Sequence, residues 1–184
     1  VKAGTDTLTT GTNNVSGGTF NVTPSISFGV FGYNSTRGDL NASIGSASRP
    51  VIDVGAITTI TVITCSSAVR GAMCNLIVDG NSNAAIVGFG VCVPYNCTAT
   101  ACTSGFSGSG HCILCSALTC GTGFNFSIAH TCAYMCFSND CTTAGAGTST
   151  SGNMLINCVS INDAIGFAGA IGTHLGVIGS TLHE

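Results

Sequence analysis

The chain has 184 residues, of which four are basic and seven acidic, and its net charge is −3. Charged residues make up about a quarter of a typical soluble domain, so the surface must consist largely of Ser, Thr, Asn and Gly. The scattered basic residues argue against a nucleic-acid partner, because nucleic-acid binding requires clustered Lys and Arg. No apolar run approaches the roughly 18 residues of a membrane span. We therefore expect neither a nucleic-acid nor a membrane partner.

We predict a single domain that covers residues 1–184. In chain order it consists of N-terminal capping rungs (1–56), regular rungs (57–169) and a C-terminal end (170–184). The sequence begins at Val1 without an initiator Met, which fits a processed chain or a segment of a longer protein. No signal peptide is visible.

A repeat dominates the regular rungs. Strand-like hexamers begin at five positions, with successive starts 21, 18, 21 and 22 residues apart: Asn75, Asn96, Leu114, Met135 and Asn157. A bend and a glycine turn follow most hexamers, and no amphipathic helix pattern is present. One strand-like segment per period of about 21 residues is typical of a parallel β-solenoid, whose stacked rungs share one core. We predict an all-β solenoid with rungs of about 18–23 residues.

Two columns of small or apolar residues accompany the repeat. The second hexamer position is occupied by Leu76, Cys97, Cys115, Cys136 and Cys158, and the fourth by Val78, Ala99, Ala117, Ser138 and Ser160. Residues two apart on a strand face the same side, so both columns are predicted to line one interior wall. Five residues after the column cysteines come Cys102, Cys120 and Cys141. We predict that all these thiols form inward structural ladders.

The chemical state of the 12 cysteines has three interpretations. We expect mostly free thiols, which are typical of a reducing compartment. Disulfides stay open as an alternative, because stacked strands lie about 4.8 Å apart and bridged residues have Cα separations of about 4.4–6.8 Å. Zinc is a weaker alternative that rests on HCILC (111–115) and HTC (130–132). We expect no metal site and no cofactor.

Acidic residues on the rungs are the candidates for catalysis. Glycoside hydrolysis uses two carboxylates about 5–9.5 Å apart, and the rungs offer Asp79, Asp140 and Asp163, with Arg70 as the base of this region. We expect Asp79 to cap a turn and Asp163 to bond neighbouring backbone, as Asx residues do. Because a catalytic site needs convergent polar groups, we predict no catalytic residues and no enzymatic activity.

An uncharged apolar segment, AIGFAGAIGTHLGVIGS, occupies residues 164–180. An open solenoid end has unpaired strand edges and must be capped or joined to a partner. We predict that this segment packs against another chain. The expected contact residues are Ile165, Phe167, Ile171 and Leu175.

Four motifs carry a resemblance to a known family. They are VKAGTDTLTT (1–10), GYNSTRGD (32–39), RPVI (49–52) and NLIVDG (75–80). Together they resemble right-handed parallel β-helix proteins of the pectate-lyase-like superfamily, of the type found in bacteriophage and environmental sequences. The resemblance implies a right-handed β-helix over most of the chain and, for fibre and decoration proteins, a trimer. It specifies fold more than activity, because this chain has few of the acidic and basic side chains that the family's enzymes present.

We therefore expect a structural or adhesive module of a phage particle, either a capsid decoration (cement) protein or a segment of a tail fibre or spike, that acts through shape and assembly. The expected partners are further copies of the chain, other virion or fibre proteins and a cell-surface polysaccharide. The expected location is the virion or the extracellular surface, after assembly in a reducing cytoplasm.

Two alternative functions stay open. One is a tailspike-type enzyme that binds or depolymerises polysaccharide. The other is an ice-binding solenoid, which would present a flat outward array of Thr; the segments TTITVIT (58–64) and TATACT (98–103) suggest one, but the array is not regular across rungs.

Overall fold

A computed structural model of the chain describes residues 4–7, 29–32, 49–63, 71–108, 110–169 and 174–183. These residues form 21 β-strands, numbered β1 to β21 in chain order, and contain no helix. All strand pairs are parallel, and the strands stack as a solenoid of about six turns. The predicted all-β parallel solenoid is therefore confirmed. The right-handed sense and the division at residues 56 and 169 stay predictions.

Three parallel sheets form the walls, and each complete turn adds one strand to each sheet. Sheet A contains β1 (Gly4–Thr7), β3 (Pro50–Asp53), β6 (Ile77–Asp79), β9 (Thr98–Thr100), β12 (Ser116–Leu118), β15 (Phe137–Asn139), β18 (Val159–Ile161) and β21 (Thr181–His183). Sheet B contains β4 (Thr59–Ile63), β7 (Ala85–Phe89), β10 (Ser104–Ser107), β13 (Thr122–Phe126), β16 (Ala144–Thr148) and β19 (Phe167–Gly169). Sheet C contains β2 (Gly29–Phe31), β5 (Ala72–Cys74), β8 (Val93–Tyr95), β11 (Cys112–Ile113), β14 (Cys132–Tyr134), β17 (Asn153–Ile156) and β20 (Leu175–Ile178).

Two corners of each rung contain a residue in the left-handed backbone region. Between sheets C and A these residues have φ between 50° and 57°: Asn75, Asn96, Leu114, Met135 and Asn157. Between sheets A and B they have φ between 52° and 55°: Ala101, Thr119, Asp140 and Asn162. Asn tolerates this conformation better than most residues. The recurrent Asn at the start of the hexamers is thus a corner residue, whose geometry turns the chain from one sheet to the next.

Sheets A and B approach each other too closely for larger side chains. A Cβ placed on Gly105 would lie 3.3 Å from the Cβ atoms of both Ala99 and Ala117 and 2.7 Å from the carbonyl oxygen of Gly123. Gly123 is in the same position one rung later, with the Cβ of Ala117 at 3.1 Å. The small residues of the fourth hexamer position therefore face a column of glycines across a thin part of the core.

A column of aromatic rings fills the thicker part of the core beside sheet B. Consecutive strands place Phe89, Phe106 and Phe124 in register, and their rings stack with centroids 4.9 Å apart in both pairs. The interplanar angles are 8° and 7°. The rung spacing of about 4.8 Å matches this separation. The rings therefore stack in parallel because the same residue, Phe, occupies the same register position in three consecutive rungs.

Candidate functional site

The first cysteine column lies at the corner between sheets C and A. Leu76, Cys97, Cys115, Cys136 and Cys158 each follow a left-handed corner residue and precede a strand of sheet A. All five side chains are buried in the core. Backbone hydrogen bonds of 2.9 Å join Ser116 to Cys97 and Phe137 to Cys115, which places the cysteines in consecutive rungs.

The thiols of this column donate to carbonyl oxygens of the preceding rung. The Sγ of Cys97 lies 3.2 Å from the oxygen of Met73, and the Sγ of Cys115 lies 3.4 Å from that of Pro94. The Sγ of Cys158 makes the same contact with Ala133 at 3.4 Å. Each thiol therefore acts as a small apolar side chain with a weak donor.

The second column, Cys102, Cys120 and Cys141, lies just after the corner between sheets A and B. All three side chains are buried. The amide of Gly121 donates to the carbonyl of Cys102 at 2.8 Å, which joins the rungs of Cys102 and Cys120. In the following rung Asp163 takes the equivalent position, and its Oδ1 accepts a hydrogen bond of 2.7 Å from the amide of Cys141.

Eleven of the 12 cysteines are described, and all eleven are free thiols, in agreement with the expectation of mostly free thiols; Cys65 lies outside the described residues. Burial raises the pKa of Cys97 to about 12 and that of Cys115 to about 11. These thiols are neutral near pH 7 and inaccessible, so they have the properties of structural rather than nucleophilic cysteines.

The residues of the zinc alternative do not share one surface. Cys112 and Cys115 are buried in the core, whereas His111 and His130 are exposed and Cys132 is half-buried. Within the described ranges no group of three or more His, Cys, Asp or Glu side chains is placed to hold a metal ion.

The carboxylates of Asp79 and Asp163 lie far apart. Asp79 ends β6 and Asp163 follows β18, four strands away in sheet A, so about 19 Å separates their rungs at about 4.8 Å per strand. Carboxylate pairs of glycosidases are at most about 9.5 Å apart. Asp140 is an exposed corner residue, one rung before the inward Asp163. Arg70 lies outside the described residues.

Asp79 caps a turn as expected, together with an acid that the sequence reasoning missed. The Oδ1 of Asp79 accepts from the amide of Asn81 at 2.9 Å, and the Oδ1 of Asp53 accepts from the amide of Gly55 at 2.7 Å. Asp53 and Asp79 pair in register, and the side-chain amide of Asn81 also donates to Asp53. Both acids therefore satisfy turn amides at the corner between sheets A and B.

Asp163 points into the last part of the core and bonds the backbone of Cys141, as expected. Its Oδ2 also accepts from the hydroxyl of Ser138 at 2.6 Å and from the hydroxyl of Ser160. Gly145 faces this cluster, with Ser138 Oγ 2.5 Å from the place a Cβ would occupy. A cavity of about 320 Å³ adjoins the cluster near the terminal rung. The two serines were predicted as small column residues, and nothing in their spacing indicated a carboxylate partner.

The predicted end-contact residues divide into two groups. Phe167 and Leu175 are half-buried and pack against the core, while Ile165 is 53% exposed; Ile171 lies outside the described residues. Two further exposed residues were missed, Val177 and Leu182. They are in register with the buried Leu155 and Ser160 of the preceding rung, so they occupy inward columns.

A groove that the sequence reasoning also missed lies on the outer face of sheet A. It has a volume of about 400 Å³ and is lined by Arg49, Ile77, Thr98, Ser116, Leu118 and Phe137; we call it the outer-face groove. Arg49 lies in the predicted RPVI motif, and its side chain is 1% exposed. Arg49 is one of four basic residues in the chain, and this was the only feature of the sequence that could have indicated the groove.

The outward Thr residues do not form a continuous array in the described rungs. Thr98 and Thr100 lie between Ile77 and Asp79 on one side and Ser116 and Leu118 on the other.

The described part of the chain contains no helix able to cross a membrane. Comparisons with protein-family models, curated proteins and solved structures found no match. The resemblance to pectate-lyase-like β-helix proteins therefore rests on the sequence motifs alone, and the structure supports the parallel β-solenoid.

Proposed function

We propose that the protein is a structural or adhesive β-solenoid module that acts through its shape and through assembly at its last described rung, which contains β20 and β21. The observation that carries this proposal is the exposure of inward-column residues in the last described rung. Val177 is 47% exposed and Leu182 is 53% exposed, although the residues in register with them one rung earlier are buried.

The last described rung offers two kinds of exposed surface, apolar side chains and the edge of a strand. Removing apolar surface from water is favourable by about 25 cal/mol per Å², so covering Val177 and Leu182 favours association. The strands β20 and β21 are also the last in sheets C and A, and the backbone groups of an outer strand edge can pair with another strand.

The partner that we propose for this rung is a second copy of the chain. Two identical ends can meet through a two-fold contact in which each copy presents the same patch. The trimer that the family resemblance implies would need further or different contacts, and a mass measurement distinguishes two copies from three.

The finer proposal places the module in a phage particle, as a capsid decoration protein or a segment of a tail fibre or spike. The sequence motifs at 1–10, 32–39 and 49–52 support it through resemblance. Free, buried thiols fit assembly in a reducing cytoplasm. Imaging of labelled antibody on phage particles tests this part separately from oligomer formation.

The test of assembly is the solution mass, measured by light scattering after size-exclusion chromatography. We expect the wild-type chain to have a multiple of 18.2 kDa, and Val177→Asp or Leu182→Asp to shift it to a single chain. The matched control is Met135→Asp, because Met135 is equally exposed at 47% but lies at a lateral corner that tolerates Asp. A wild-type monomer, or end variants that keep the wild-type mass, would refute the proposal.

A further inference from the structure

The outer-face groove arises from an uneven run of side chains along one outward column of sheet A. Ile77, Thr98, Ser116 and Phe137 occupy consecutive strands in direct register. The two small residues leave a depression between the larger ones, over three strand spacings or about 14 Å. Leu118, on the same face of β12 as Ser116, borders the depression.

Arg49 is a cation held against neutral acceptors at this groove. Its side chain extends from the start of β3 past β6, so that Nη1 donates to the carbonyl of Asn96 at 2.7 Å and Nη2 donates to Oγ1 of Thr98 at 2.7 Å. Its Nε has no hydrogen-bond partner among the described residues. Burial lowers the pKa of Arg49, although arginine stays charged under all ordinary conditions.

This arrangement favours a negatively charged ligand. Buried charges in proteins are normally paired, because an uncompensated charge is costly to remove from water. The guanidinium has five N–H donors, and the two neutral acceptors do not use all of them. Since Thr98 accepts from Arg49, its own hydroxyl hydrogen can be donated to a further acceptor.

We propose that the outer-face groove binds a small amphipathic carboxylate. The carboxylate accepts hydrogen bonds from Arg49 and Thr98, and its apolar body covers Ile77, Leu118 and Phe137. The volume of about 400 Å³ lies within the range of about 300–1,000 Å³ that is usual for small-molecule sites. This site is separate from the terminal rung, so the proposal does not depend on oligomer formation.

The binding test is a titration of ¹⁵N-labelled protein with phenylacetate, followed by the amide resonances of β9 and β12. We expect saturable shifts at those strands. Phenylacetamide has the same apolar body without the charge and is expected to bind at least about tenfold more weakly, since hydrogen bonds to charged groups are about twice as strong as neutral ones. Inorganic phosphate lacks the apolar body and should produce no saturable shift at these strands.

Variants assign the binding to the groove. Leu118→Glu places a negative charge in the groove that Arg49 also lines and should weaken phenylacetate binding at least about tenfold, because like charges repel. Ile161→Glu is the matched control, since Ile161 follows Leu118 and Asn139 in the same register column but lies outside the groove. Arg49→Gln removes the cation and should cause a similar loss.

Three results would overturn the proposal. They are the absence of saturable binding, equal affinity for phenylacetate and phenylacetamide, and unchanged affinity in Leu118→Glu. If Arg49→Gln fails to fold by circular dichroism, Leu118→Glu and its control still decide the outcome, because both alter half-buried outward positions.

Discussion

The stacked phenyl rings predict a measurable difference between two equally buried phenylalanines. Phe106 and Phe126 are both 1% exposed, so replacement by Leu removes similar apolar surface from each. Phe106 stacks with Phe89 on one side and Phe124 on the other. Phe126 pairs in register with Thr148 and has no stacked ring among the described aromatic pairs.

The magnitude follows from the number of ring pairs. A stacked aromatic pair contributes about 0.5–1.5 kcal/mol beyond its buried area, so Phe106→Leu loses about 1–3 kcal/mol from two pairs. Phe→Leu also leaves a cavity, and this cost is expected to be similar for the two equally buried residues. We therefore expect Phe106→Leu to lower the free energy of unfolding by about 1–3 kcal/mol more than Phe126→Leu.

The assay is urea unfolding followed by far-ultraviolet circular dichroism. Equal m-values in the two variants would show that the same surface is exposed on unfolding, so that the midpoints can be compared. A double-mutant cycle of Phe89→Leu with Phe106→Leu isolates one ring pair. Equal destabilisation by Phe106→Leu and Phe126→Leu, or a coupling energy of zero, would refute the stacking contribution.

Two further predictions concern the small columns and the buried thiols. Gly145→Ala should lower the melting temperature, because the new Cβ would lie 2.5 Å from Ser138 Oγ and such overpacking costs about 1–3 kcal/mol. Gly147→Ala is the control and should leave the melting temperature unchanged, since the atom nearest to its Cβ is Thr122 Cγ2 at 3.9 Å. Burial raises the pKa of Cys97 from 9.0 to about 12. The buried neutral thiol therefore contributes fully to the free energy of unfolding below pH 9, and this contribution is lost as the pH rises through 12. Urea midpoints should fall with alkaline pH and fall less in Cys97→Ala; a constant midpoint would contradict this.

The repeat could be read from the sequence because solenoid rungs repeat their core positions. The hexamer starts and the inward cysteines follow from a period near 21 residues together with the alternation of side chains along a strand. The register found at Ala99 and Ala117, for example, is the register that the aligned hexamers indicate. Local spacing determined these columns, so the sequence was sufficient for them.

The contacts between sheets could not be read in the same way. The glycine column opposite Ala99 and Ala117 depends on the distance between sheets A and B, which no spacing along the chain specifies. The side chain of Arg49 reaches Asn96 and Thr98, 47 and 49 residues later. Such long-range contacts need the corner geometry, which single residues with positive φ determine.

The same corner geometry explains why cysteine recurs in the first column. The residue after each left-handed corner must exclude water, and after four of the five corners it must be small enough to lie against carbonyl oxygens of its own and the preceding rung; Leu76 fills the fifth position. The Sγ of Cys97 meets this requirement, at 3.2 Å from the oxygen of Met73 and 3.4 Å from that of Tyr95. Alanine would remove the thiol contact, although the carbonyl of Tyr95 would still accept from the amide of Asn75 at 3.1 Å, and valine would place a methyl group against both carbonyls. A thiol combines apolar character with a weak donor, so the repeated corner itself favours a column of free cysteines.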